Sequence, residues 1–168
     1  EFHGSNGPLN VMASAAQPWG KAFVTSAESL QLGSTPDFNG AQQDGFGLYQ
    51  VTQKAGERWS AARAYLSERP NLAIRTGALV EKLVIENGRV TGVAVRFGKR
   101  REVIRARGGV VLSAGAFGSP QILMLSGIGP GAHLAEHGIA VALDKPAVGD
   151  DLQDHIDFVA SWATESKE

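Results

Sequence analysis

The residues best placed to do chemistry lie in one run, Ser113-Ala114-Gly115-Ala116-Phe117-Gly118-Ser119-Pro120. Val110-Val111-Leu112 ahead of it is a short apolar run of β-formers, which predicts a strand covered on both faces and stopped by Gly115. Ser119-Pro120 is a helix-start signature: a hydroxyl to cap orphan N–H groups, then a proline whose missing N–H costs nothing at the first helical position. A strand, a glycine turn and a helix N-terminus aim several main-chain N–H groups and a positive dipole end at one spot, and the chemistry this suits is binding of a phosphate-like anion. The same residues also read as a tight turn before a core helix. No G-x-G-x-x-G fingerprint supports the first reading, because Gly127-Ile128-Gly129-Pro130-Gly131 follows a helix rather than a strand.

Other residues offer weaker signals. Arg58 and Arg63 flank a short helical segment and are candidate phosphate ligands, although arginines in such places are mostly solvated or ion-paired. His133 and His137 lie four apart on one helical face. The zincin pattern needs glutamate directly after the first histidine and further ligands, so this spacing predicts no metal centre. With no cysteine there is no disulfide or thiolate chemistry, and any redox work needs a bound cofactor.

The elements that must position these residues follow from local pattern. Residues 3–16 read as a loop with one short edge strand to which Leu9 and Val11 contribute. Pro18 opens a helix with Trp19, Ala22, Phe23, Ala27 and Leu30 on one buried face, closed by Gly33. Residues 36–40 are turn chemistry, and 45–52 read as a strand whose glycines allow other backbone or a ligand to approach closely. Ser60 caps a helix to about Leu66, ended by Arg69-Pro70. Residues 79–86 and 89–97 around Asn87-Gly88 predict a type I′ hairpin, extended by 102–107 into a meander with Val93, Val95 and Phe97 on one face. Lys99-Arg100-Arg101 reads as its solvated tip. Ile122, Leu123, Met124 and Leu125 leave the helix after Pro120 no polar face, so it is expected to be buried on most sides and ended by Gly127. A short helix over 133–138 follows, with His137 at its negative end and Gly138 as cap, then strands at 139–143 and 158–162 and a frayed end over 164–168.

Composition bounds the rest. At 168 residues, 43% hydrophobic and 20% charged, the chain can bury a domain-sized core. A formal charge of −1 gives no pull toward nucleic acid or membrane surfaces, and no apolar run approaches the ~20 residues that span a bilayer. The start, Glu1-Phe2-His3-Gly4, is not a signal peptide, and the missing initiator methionine leads us to expect a piece of a longer protein.

The wording of the central run sharpens this picture. Ser113-Ala114-Gly115-Ala116, Ser119-Pro120-Gln121-Ile122-Leu123 and Leu125-Ser126-Gly127-Ile128-Gly129-Pro130 resemble the second signature of the glucose-methanol-choline (GMC) oxidoreductases. Val148-Gly149-Asp150-Asp151-Leu152-Gln153-Asp154-His155 is similar to the family's Val-Gly-x-Asn-Leu-Gln-Asp-His segment, with Asp151 where asparagine is usual. His3-Gly4-Ser5-Asn6-Gly7-Pro8-Leu9, Gly56-Glu57-Arg58-Trp59-Ser60-Ala61-Ala62-Arg63-Ala64-Tyr65-Leu66 and Asn71-Leu72-Ala73-Ile74-Arg75-Thr76 are similar to family segments in the same order. The resemblance covers nearly the whole chain and leans toward the choline and alcohol dehydrogenase branch.

That resemblance implies an α/β (mixed α+β) fold: part of an FAD-binding Rossmann-like domain with a β-meander, plus part of a sheet-based substrate domain. It assigns 1–70 to the substrate domain, 71–149 to the FAD domain and 150–168 to the return toward the substrate domain. It implies FAD as cofactor, a small alcohol as substrate and hydride transfer from a CH–OH carbon to flavin in the parent protein. By the same resemblance Val80 matches the main-chain contact to the FAD adenine, and Gly115 and Ala116 match the turn near the diphosphate. Ala114 and Ser119 complete the cofactor-binding set. His155 falls near the family's domain interface and is expected to be a hydrogen-bonded structural histidine rather than the catalytic base. The family's N-terminal Gly-x-Gly-x-x-Gly unit and C-terminal histidine with its histidine or asparagine partner are missing, so the chain is expected to be a catalytically silent middle slice that holds FAD weakly. A hydroxynitrile lyase parent and a stand-alone binding or structural module are the alternatives. A cytoplasmic location, peripheral to the membrane in the parent, and self-association through exposed apolar surface at 122–125 complete the expectations.

Overall fold

The computed structural model describes residues 2–15, 17–67 and 69–163. The chain is mixed α+β and divides into two compact units between Ile74 and Arg75. The terminal residues 164–168, expected to fray, lie outside the described residues.

In the first unit β1 (Met12–Ala13), α1 (Pro18–Ser29), β2 (Gln50–Val51), β3 (Gln53–Lys54), β4 (Glu57–Arg58) and α2 (Ala61–Tyr65) follow in order. β1 pairs antiparallel with β2, and β3 with β4. Ala55 and Gly56 between the latter two both take positive φ, the conformation a tight two-residue hairpin requires. Pro18 starts α1 as the sequence predicts, but the helix buries only Ala27. Trp19, Phe23 and Leu30 are exposed, even though the Phe23 ring meets Phe46 at 5.6 Å, so the expected buried face is not closed. Residues 45–52 form only β2 and a single parallel bridge from Phe46 to Ser34. The reason lies at Gly47, where a Cβ would stand 2.2 Å from the Thr35 carbonyl oxygen: the glycine admits backbone, as expected, and the strand is interrupted there. Thr35 is buried, and its hydroxyl lies 3.1 and 3.0 Å from the carbonyls of Asp37 and Gln42 while accepting from the Asp37 N–H. The Asp37 carboxylate in turn accepts from the Asn39 N–H, confirming the turn. Ser60 caps α2 by accepting from the Arg63 N–H at 3.2 Å.

The second unit is built on the meander β5 (Leu79–Glu86), β6 (Arg89–Phe97) and β7 (Arg100–Arg105), an antiparallel sheet in that order. The hairpin has its expected bounds, and Asn87 (φ 51°) and Gly88 (φ 74°) are both left-handed as a type I′ turn demands. Val95 and Leu83 form its buried core, with Val95 only 2% exposed. Ion pairs lace the sheet, across strands from Glu81 and Glu86, while Glu102, opposite Val95, pairs with Arg75 ahead of β5 and with Arg100 of its own strand. Glu81 meets Arg96 at 3.1 Å and Arg101 at 3.0 Å, Glu102 meets Arg75 at 2.6 Å and Arg100 at 3.2 Å, and Glu86 meets Arg105 at 2.6 Å. Two members of the expected solvated tip therefore belong to β7, while Gly98 and Lys99 make the turn.

After the sheet come α3 (Gly115–Leu125), β8 (Ile128–Gly129), α4 (Gly131–Glu136) and β9 (Leu143–Asp144), with β8 and β9 parallel. Five expectations are corrected here. Residues 110–112 are not paired into a strand and Val111 is 91% exposed, because a strand covered on both faces needs neighbours that no described residue supplies. α3 starts at Gly115 rather than at Ser119, and Pro120 lies inside it. The helix is half-buried rather than enclosed: it packs on β5 and β8, and Phe117 stands 77% exposed. Of the expected strand at 139–143 only Leu143 is paired, in β9, and residues 158–162 are exposed and unpaired. Gly127, at φ 83°, ends α3 as predicted, and the backbone of 140–142 packs where its Cβ would be.

Candidate functional site

The start of α3 is where sequence and structure converge. Gly115 enters the helix with φ 82°, a conformation glycine adopts without penalty, and Ala114 is the N-cap residue. The Ser119 hydroxyl accepts from the Ala114 N–H at 3.0 Å, so this serine reaches back over the first turn instead of opening the helix. No acidic side chain lies in that first turn, and apart from Phe117 its side chains are hydrogen, methyl or hydroxymethyl. Main-chain N–H groups at such an end are short of partners and face a positive dipole.

Beside it runs a cleft of about 610 Å³ lined by Ala116, Ser119, Pro120 and Leu123 of α3 and by residues 148–153. Two sequence motifs separated by some thirty positions thus form the two walls of one site. The second wall is held close at Gly149, where a Cβ would meet Met124 Cε at 3.5 Å and Pro120 Cβ at 3.9 Å. Two residues further on, Asp151 has φ 53°, a left-handed position that asparagine tolerates better than most residues. Asp150 and Asp151 bring negative charge to this wall.

Of the predicted cofactor contacts, Ala116 and Ser119 line the cleft, and Ala114 and Gly115 immediately precede them at the helix end. Val80 does not line it. Val80 sits on β5 opposite Val95, beside a register shift between Val80 and Lys82. The link between the two places is Ser126, which follows α3: its hydroxyl accepts from the Leu83 N–H of β5 at 2.8 Å and donates to the Ile122 carbonyl at 2.5 Å. Neither Ser126 nor residues 148–153 stand out by residue type. Their membership in the two resemblance motifs is the signal that could have placed them in the site.

The other candidates are accounted for locally. Arg63 pairs with Glu57 at 2.5 Å and lies over the Trp59 ring at 4.8 Å, so its charge is engaged, and Arg58 stands on β4 opposite Gln53. His155 is exposed, with its main-chain N–H on the Asp154 carboxylate at 2.8 Å. The perturbed titrations lie outside the cleft. Hydrogen bonding from Arg101 holds the Glu81 carboxyl below its ordinary value and correspondingly raises Arg101, while Arg105 and then Thr91 lower Glu86. In the first unit, bonding to His3 and then to the Asn39 N–H lowers Asp37. Among the described residues no helix is long and apolar enough to cross a membrane.

Comparison with known proteins gives the site its context. Residues 2–157 match the model of the GMC oxidoreductase family. The chain is 47% identical over 161 residues to the oxygen-dependent choline dehydrogenase of Rhizobium etli, covering 94% of this chain and 29% of that protein. It is 43% identical over 172 residues to the alcohol dehydrogenase [acceptor] of Pseudomonas putida, covering 99% of this chain and 31% of that one. Among solved structures, an FAD-dependent oxidoreductase from Chaetomium thermophilum superimposes with a TM-score of 0.78 at 30% identity, over 86% of this chain and 26% of that one. The chain therefore spans less than a third of the length of these relatives, and its mixed α+β fold resembles the FAD-binding domain of GMC oxidoreductases. With its motifs, their convergence at one cleft and a match over 2–157, the chain belongs to the GMC oxidoreductase family and is related to its choline and alcohol dehydrogenase branch.

Proposed function

We propose that this chain is the central part of a cytoplasmic FAD-dependent oxidoreductase that takes a hydride from the CH–OH carbon of a small alcohol. Residues 71–149 would contribute to its FAD domain, and 1–70 and 150–168 to its substrate domain. The observation that carries the proposal is the meeting of the Ala114–Ser119 turn and the 148–153 segment at one cleft. The residues fit a diphosphate-bearing cofactor there: the helix entry is left-handed at Gly115, nearly free of bulk and without an acid in its first turn. Main-chain N–H groups of Gly115 and Ala116 with the Ser119 hydroxyl would hold the diphosphate, and the Val80 main chain would meet the adenine. Bound FAD would supply the acceptor for the hydride.

Magnitudes decide what the chain does alone. An anion at a helix N-terminus gains about 0.3–1 kcal/mol, and about 2 kcal/mol when partly buried. Micromolar binding needs about 8 kcal/mol. Asp150 and Asp151 on the facing wall work against an anion. The chain taken alone is therefore catalytically silent and holds FAD weakly. Titration of FAD into it, followed by flavin fluorescence, is expected to give a Kd above about 1 μM. Submicromolar binding by this chain alone would overturn the reading.

A further inference from the structure

We propose that the last turn of α4 is a chelating site for a divalent transition-metal cation of the Zn2+ type, built from His133, Glu136 and His137. One donor atom from each of the three side chains lies within 4.8 Å of the other two, and all three residues are exposed. Weighing the histidines against a zincin pattern leaves Glu136 out, yet the i, i+3, i+4 spacing puts all three on one helical face. Two imidazoles and a carboxylate suit Zn2+ rather than Ca2+ or Mg2+, which prefer oxygen-only shells.

The backbone prepares the donors. The His137 N–H bonds to the Leu134 carbonyl in a tightened last turn, which leaves the His133 carbonyl for the His137 ring. Nδ1 of His137 lies 3.0 Å from that oxygen. A carbonyl only accepts, so Nδ1 carries the proton in this bond and the Nε2 lone pair is left as the metal donor, the arrangement by which a second partner orients a ligating histidine. The His133 and His137 rings are already 4.5 Å apart by centroid. Leu134, 1% exposed, anchors the helix between them, and Gly138 at φ 68° closes it. A cation is also favoured where the helix presents its last carbonyls. A tetrahedral ion with bonds of about 2.0–2.1 Å needs donors closer than 4.8 Å, and exposed side chains can close that gap by rotation about their χ angles.

The test is a Zn2+ titration by calorimetry on the full chain, in a background with His3→Gln and His155→Gln to remove the remaining imidazoles. One saturable Zn2+ per chain is expected. His133→Ala and His137→Ala should each weaken it by at least about tenfold, since a direct ligand is worth no less than the outer-shell partners that support it. Glu136→Gln, of the same shape, should weaken it by a smaller factor. No saturable binding up to about 1 mM, or binding that is unchanged in the His133→Ala/His137→Ala double variant, overturns the proposal.

Discussion

Replacing Ser126 with alanine tests whether a single hydroxyl couples the edge of the sheet to the helix that carries the cleft. Ser126 Oγ is the acceptor for the part-buried Leu83 N–H at 2.8 Å, and Leu83 is the one buried residue of β5. The hydroxyl's own donation to Ile122 matters less, because the Ile122 carbonyl also accepts from the Ser126 N–H at 3.1 Å. The variant therefore strands one donor. A buried donor left without a partner costs about 1–3 kcal/mol. A cleft of about 580 Å³ lined by Leu83, Ser126 and Gly127 admits water to the vacated position, which places the cost near 1 kcal/mol. For a chain of this size that is a fall of about 2–4 °C in Tm. Urea unfolding followed by circular dichroism should show a lower midpoint with unchanged slope, and Ser126→Thr, which keeps the hydroxyl, should recover most of the loss. The reasoning fails if Ser126→Ala unfolds within about 0.3 kcal/mol of the parent, or if Ser126→Thr is as unstable as Ser126→Ala.

Two further outcomes follow from local geometry. Gly47→Ala sets a Cβ against the Thr35 carbonyl at 2.2 Å and is expected to cost about 1–3 kcal/mol in urea unfolding, whereas Gly56→Ala, with open space around its Cβ, should show only the smaller penalty of its positive φ. Acid titration of stability reads the sheet's ion pairs. Glu81 and Glu86 have folded values held below the unfolded ones, so their contribution is fully present above the ordinary glutamate value and is lost as the pH falls below about 4. The urea midpoint should drop across that range, and less steeply in Glu81→Gln.

What could be read from the sequence divides along the range of the forces involved. The hairpin, its turn and the Ser60 cap were legible because Asn87-Gly88 and Ser60 act on residues within three positions of themselves. Residues 110–112 carry the right residue types for an interior strand, but pairing is supplied by distant segments, and no described residue supplies it. Pro120 looked like a first helical residue because proline is tolerated there; the left-handed Gly115 starts the helix five residues earlier. For the site, the anion-binding turn was visible as a pattern. Its opposite wall was not, since nothing local in residues 148–153 says that they fold back against Pro120 and Met124.

The meander also bears on the order in which this region can assemble. β5, β6 and β7 each pair with the strand next to them in the chain across turns of two residues, so their contacts close short loops and form quickly. During synthesis from the N-terminal end, all three strands emerge before Gly115. The second unit's sheet can thus be complete while α3 is still unmade, and the helix arrives at a finished template whose waiting Leu83 amide selects the register at which Ser126 docks.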